Sequence, residues 1–164
     1  MDVSTFYALF SATCFTLTGL WWNVVHARTD WRRDRSTRRA VGGIYLSFLL
    51  PALMGLFAQV GGEATPAVWR VSFVLVSLVG AVSMVRLLSH ARGDRSTTIV
   101  TATQAGAGLV YLLIAVLGIA PALAGGIGLA PIQVAALLLI ILIVLAHGLV
   151  WRFMLESTTD EAVS

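Results

Sequence analysis

The chain has 164 residues, 58% of them apolar and 12% charged, with a formal net charge of +3. Soluble domains carry about 25% charged residues, so this composition excludes a water-solvated globule and points to an integral membrane protein. All eleven basic residues are Arg, a usage that fits a G+C-rich codon bias in a bacterial source; the excess charge is read below as a topological signal.

Five apolar runs follow one another: Phe6–Val25, Ala40–Val60, Val68–Leu88, Ile99–Ile119 and Ile132–Phe153. Each has close to the twenty or so residues needed to cross about 30 Å of hydrocarbon as a helix. The first run is too long for a signal-peptide core, and the segment ahead of it carries Asp2 and no basic residue, so it is expected to stay as a helix. Its lone Cys14 has no partner for an intramolecular disulfide and is read as a packing residue. In the second run, Pro51 removes its own N–H and crowds the carbonyl of Ser47, which predicts a kink. Ser36 or Thr37 ahead of this run, and Ser96 or Thr97 ahead of the fourth, stand where N-caps belong, with Asp34 and Asp94 near the positive dipole ends. On the fourth run Ala102 and Gly106 are four apart, as are Gln104 and Gly108. That small face is expected to pack centrally or to meet a second subunit.

The connection Ala120–Pro131 holds Gly125, Gly126 and Gly128 and no charge, which predicts an interfacial loop over the helix ends; a re-entrant loop lining a cavity is the functional alternative. The segment 157–164 is acidic, polar and expected to be loose.

Orientation follows from the Arg residues of the short loops. Arg28, Arg32, Arg33, Arg35, Arg38 and Arg39 flank the first connection, Arg86, Arg92 and Arg95 the third, and Arg152 ends the fifth run, which leaves only Arg70 on the other side. The N-terminus is therefore expected outside and the C-terminus inside a cell's inner (plasma) membrane. Trp21, Trp22 and Trp151 then fall near the inner headgroups and Trp69 near the outer ones.

The chain also repeats itself. His26-Ala27-Arg28 followed by Asp34-Arg35-Ser36-Thr37 returns as His90-Ala91-Arg92 followed by Asp94-Arg95-Ser96-Thr97, with five residues between the halves in the first copy and one in the second. A weaker echo pairs Pro51-Ala52-Leu53-Met54-Gly55 with Pro121-Ala122-Leu123-Ala124-Gly125. The fold class is thus read as all-α and polytopic, one transmembrane domain over 1–156. It comprises two helical hairpins of the same orientation (about 5–62 and 66–125), related by an axis along the membrane normal, and a fifth helix over about 131–154.

Missing residues restrict the chemistry. None of the eight carboxylates lies in an expected span and there is no Lys, so a carboxylate relay across the bilayer is excluded. The chain has no H-E-x-x-H, no G-x-S-x-G, no phosphate-binding glycine loop with its Lys and no cysteine pair. No catalytic residue, cofactor, metal or nucleic-acid partner is assigned, and the chain is read as a non-enzyme.

The candidate site is a basic layer at the inner face. His26, Arg28, His90 and Arg92 come from the repeated motif, Arg86 lies one turn deeper than His90, and His147 sits within the fifth run. Guanidinium forks beside helix starts suit phosphate or carboxylate oxygens, so the expected ligands are a small anion or anionic lipid headgroups; the competing reading is plain interfacial anchoring by Arg. Haem between the histidines is the weaker thought, since His26 and His90 fall at the extreme helix ends. A second, uncharged set comprises Thr13, Thr16, Thr18 and Asn23, then Ser72, Ser77 and Ser83, then Thr101, Thr103 and Gln104. Within it Thr16 and Asn23 share one face, and Thr101 and Gln104 another, so the set is placed either along a wet path or in bonds to neighbouring helices and to carbonyls four residues back. The function expected from this is a homo-oligomeric channel or facilitator for a small anion or neutral solute. The alternatives are a non-catalytic accessory or regulatory subunit of a larger membrane complex and, more remotely, a haem-binding or lipid-modifying protein.

Overall fold

The computed structural model describes residues 2–28, 31, 35–61, 65–91 and 98–161. Among them there is no strand. Five long helices form, α1 Val3–Ala27, α2 Arg35–Gly61, α3 Pro66–Ala91, α4 Thr98–Ile119 and α5 Pro131–Glu161, with a seven-residue 3₁₀ helix, Pro121–Ile127, between the last two. Their apolar stretches of 20 to 25 residues rise about 30–37 Å at 1.5 Å per residue, enough to cross a bilayer. Such helices are compatible with a multi-pass membrane protein and suggest a membrane location.

The surface agrees with lipid as the solvent. Leu75, Val79 and Val82 on α3, Leu112 and Val116 on α4, and Leu137, Ile141 and Val144 on α5 are all exposed. Water would not tolerate so much contiguous apolar surface.

Local chemistry sets the element ends. Pro66 and Pro131 begin α3 and α5, at positions where a missing N–H costs nothing. The Gln133 side-chain oxygen accepts from the Ala130 N–H at 3.0 Å, half of a capping box for α5. The connection after α4 is neither an open loop nor a re-entrant hairpin. Pro121 starts a 3₁₀ helix and Gly128, at φ +68°, ends it in the left-handed region that glycine enters without penalty. Ala124 is buried, and this short element packs on both α4 and α5.

Two further expectations shift. Because α2 begins at Arg35, Ser36 and Thr37 belong to its first turn instead of capping it; Asp34, Ser96 and Thr97 lie outside the described residues. No Pro or Gly stands between Gly148 and Glu161, so α5 stays helical through Glu161, well into the segment expected to be loose.

Packing makes α2 the hub. It contacts α1, α3 and α5, while α4 contacts α3, α5 and the 3₁₀ helix. Half of α2's apolar window is buried, against 22% for α1 and for α5. The Ser11 hydroxyl donates to the Ala52 carbonyl at 3.2 Å, and Trp21 Nε1 to the Val41 carbonyl at 3.1 Å, across the α1–α2 seam. Tyr7 donates to Ile132 O at 2.7 Å, tying the start of α1 to the start of α5. Tyr7, Met54, Phe73, Tyr111, Ile114 and Leu139 fill the middle of the bundle.

Seen from within, the small residues of α4 serve this bundle. A Cβ on Gly108 would stand 3.5 Å from Met84, and one on Gly106 3.9 Å from Leu145. Their face is covered by α3 and α5 of the same chain. Trp21 and Trp69 are buried, Trp21 beside Trp31 and Phe153 and Trp69 against Phe73; Trp22 and Trp151 are exposed.

Candidate functional site

Described Arg side chains gather at the bundle end where α1, α3 and α5 finish and α2 and α4 begin. The expected basic layer is divided there. α1 and α3 flank α2, and the ring contact between them, Tyr7 on Phe73, lies near the opposite end of the bundle. His26 is exposed on α1, and Arg28 lies with its guanidinium carbon 5.6 Å from the Trp31 ring centroid, within cation–π range. Arg86 is exposed on the far side of α2. Arg92 and the side chain of His90 lie outside the described residues.

The uncharged set mostly turns to its own helix. The hydroxyls of Thr13, Thr16, Thr18, Ser72 and Ser83 each donate to the carbonyl four residues back, at 2.7–2.9 Å, which satisfies them in an apolar medium. Thr16 and Asn23 do share a face, and it is an exposed one; Thr101 is exposed too. Gln104 is different.

Between α2, α3, α4 and α5, at the basic end, lies a vestibule of about 110 Å³, room for several waters or one small ion. Gly43 and Ile44 form one wall, Met84 and Leu87 another, and Gln104 and Arg152 bring the polar groups. The Gln104 side-chain oxygen is buried and has no hydrogen-bond partner among the described residues. Arg152 was read from sequence as an anchoring residue; its place five residues past His147 carries no sign that α5 turns it toward α4.

Two more buried polar atoms lack partners among the described residues, Ser77 Oγ and Tyr111 Oη. With Gln104 they make three, all carried by α3 and α4. Gln104 and Tyr111 are seven residues apart on α4, two turns and about 10.5 Å of rise, and a helical tyrosine leans toward its own N-terminus, here toward Gln104. Gly80 makes room for that ring, since a Cβ there would lie 2.7 Å from it. Ser77 sits one turn before Gly80. An unpartnered buried hydroxyl costs about 1–3 kcal/mol, and the penalty grows where no water can enter. Chemically, the vestibule offers a guanidinium to an anion at its mouth and then amide and hydroxyl groups to a hydrogen-bonding solute deeper in.

At the opposite end the bundle is tied shut. Arg70, the single Arg there, donates through Nε to Gly118 O at 2.9 Å and through Nη2 to Ile119 O at 3.2 Å. Its solitary position against the charge bias was the available signal that it serves a local partner.

His147 lies apart from the vestibule, on a lipid-facing cleft between α1 and α5, where Nδ1 stands 2.8 Å from the Ile143 carbonyl and the ring meets Phe48 edge-on. Among the described residues, no three or more His, Cys, Asp or Glu side chains cluster as metal ligands would.

Comparison with family models, with curated proteins and with solved structures returns no match.

Proposed function

We propose that the protein is a homo-oligomeric facilitator for a small anion or neutral solute in a cell's inner membrane, N-terminus outside and C-terminus inside, with the vestibule as its inner mouth. The observation that carries this reading is a vestibule lined by Arg152 and Gln104, with polar atoms of Gln104, Tyr111 and Ser77 buried without partners among the described residues. A guanidinium at the mouth concentrates anions, and polar groups without protein partners are the ones a passing solute can satisfy. The excess of Arg at this end supports a cytosolic side for it.

Beyond Tyr111 the route is filled by Phe73, Ile114 and Leu139, so transit requires the α3–α4 seam to part or the solute to leave between copies. With the α4 glycines occupied inside the chain, the exposed small face of α1 carrying Ala12, Thr16, Gly19 and Asn23 is the face left for self-association.

Purified protein reconstituted in vesicles is expected to pass small anions or small neutral polar solutes. Arg152→Ala is expected to lower the anion rate roughly tenfold, the worth of one charge-assisted contact, while Arg86→Ala leaves it unchanged. Gln104→Leu is expected to slow both solute classes. Absence of flux from a folded, oligomeric preparation would favour the second reading, a non-catalytic accessory subunit, which the solid middle of the bundle favours.

A further inference from the structure

A cleft of about 280 Å³ runs between α1 and α5, on the lipid side of the bundle and separate from the vestibule. On α1 it extends from Phe6 through Leu9 and Phe10 to Leu17, eleven residues or about 16 Å of helix rise. Ile143 and His147 form the α5 wall. Its chemistry is lopsided. The outer part is wholly apolar, with the Phe6 and Phe10 rings stacked 5.6 Å apart, and the polar groups collect at the other end.

Of those groups, the Thr13 hydroxyl already donates to Leu9 O at 2.9 Å and Cys14 is fully buried. That leaves His147. A carbonyl oxygen only accepts, so the 2.8 Å contact with Ile143 O requires the proton on Nδ1 and makes Nε2 of the neutral ring an acceptor. His147 lies sixteen residues past Pro131 and five before Arg152, about 24 Å and 7.5 Å along the axis, which puts it inside the apolar layer. An ionisable group at such depth calls for a partner.

We propose that this cleft binds a membrane-soluble phenolic amphiphile, whose hydroxyl donates to His147 Nε2 while its tail lies along Leu9, Phe10 and Phe6. Depth selects the class. Phospholipid headgroups stay at the interface and cannot bring a donor to this level, whereas a molecule with one small neutral polar group can. A phenol is a stronger donor than an aliphatic alcohol, and where no water competes it is the better match for an imidazole acceptor. The apolar tail gains by leaving disordered lipid for fixed aromatic walls.

The test is equilibrium binding of 4-nonylphenol and of its methyl ether, 4-nonylanisole, to the full-length protein in lipid nanodiscs at pH 8.5. The two probes share shape and apolarity and differ in the donor. The phenol is expected to bind roughly tenfold more tightly, the discrimination of one hydrogen bond without competing water. His147→Leu, a change at an exposed position, is expected to bring the phenol down to the level of the ether with no change in the unfolding midpoint. Leu9→Trp, which fills the cleft from a residue 59% exposed, is expected to weaken both probes. Equal binding of the two probes to the parent protein would overturn the proposal and leave the cleft to lipid tails. So would a phenol preference that survives His147→Leu, or a visible absorption band of the purified protein that His147→Leu removes, which would assign the ring to iron.

Discussion

Replacing Gly55 by Leu is expected to cost the protein about 3 kcal/mol of its stability. A Cβ at this position would collide with Ser11 Oγ and stand 3.3 Å from the Tyr7 carbonyl. The second of these is backbone and cannot swing away. A leucine there must push α1 from α2, and overpacking of this kind costs about 3 kcal/mol, a large part of the about 5–15 kcal/mol that holds a domain together. The same displacement breaks the bond from Ser11 to Ala52 O and strands a hydroxyl that is 2% exposed. Unfolding titrations in mixed micelles measure the loss. Gly42→Leu is the control: nothing lies within 4 Å of a Cβ there, so its midpoint is expected to stay within about 0.5 kcal/mol of the parent. A Gly55→Leu protein as stable as the parent would mean that α1 and α2 do not meet here.

Arg70→Met is expected to cost about 2 kcal/mol and to loosen the 3₁₀ helix. The last carbonyls of a helix have no N–H from within it, and a cation at that end also opposes the negative pole of the helix dipole. Arg70 serves both needs, with two donors on Gly118 O and Ile119 O. Gly118 permits the approach, because a Cβ on it would lie 3.1 Å from the Arg70 carbonyl and 2.7 Å from the Val74 side chain. Charge-assisted hydrogen bonds contribute about 1.5–3 kcal/mol each when buried, and partial exposure here holds the pair to the lower figure. Hydrogen exchange reads the consequence: the Leu123 amide, which donates to Ala120 O, is expected to exchange several-fold faster in Arg70→Met and close to the parent rate in Arg70→Lys. Unchanged exchange and stability in Arg70→Met would contradict the clamp.

The five helices were legible because crossing hydrocarbon demands long uninterrupted apolar runs, and those runs need no partner to be recognised. Their ends were less so: α2 begins five residues before Ala40, and α5 continues eight past Phe153, since helical hydrogen bonding persists outside the apolar layer until a Pro or Gly intervenes. Which face of each helix turns inward was hardly legible at all. Lipid and protein core are equally apolar, so helices that are greasy all round carry little directional pattern. Hence Trp21 and Trp69 turn into the bundle, and Arg86 is exposed while Arg152 lines the vestibule. The uncharged set divided along the same line. Thr13, Thr16, Thr18, Ser72 and Ser83 bond their own helices, Gln104 and Ser77 keep unpartnered atoms inside, and Tyr111, which joins them, was hidden among apolar neighbours.

Labelling with a membrane-impermeant maleimide tests the arrangement most directly. In a Cys14→Ala background, Ser4→Cys and Ser157→Cys place single thiols in the first turn of α1 and past the apolar stretch of α5. Five crossings with the Arg-rich end in the cytosol require Ser4→Cys to react in intact cells and Ser157→Cys to react only after permeabilisation. Both positions reacting from the same side would mean an even number of crossings, and the opposite assignment would turn the vestibule outward; either result contradicts the account.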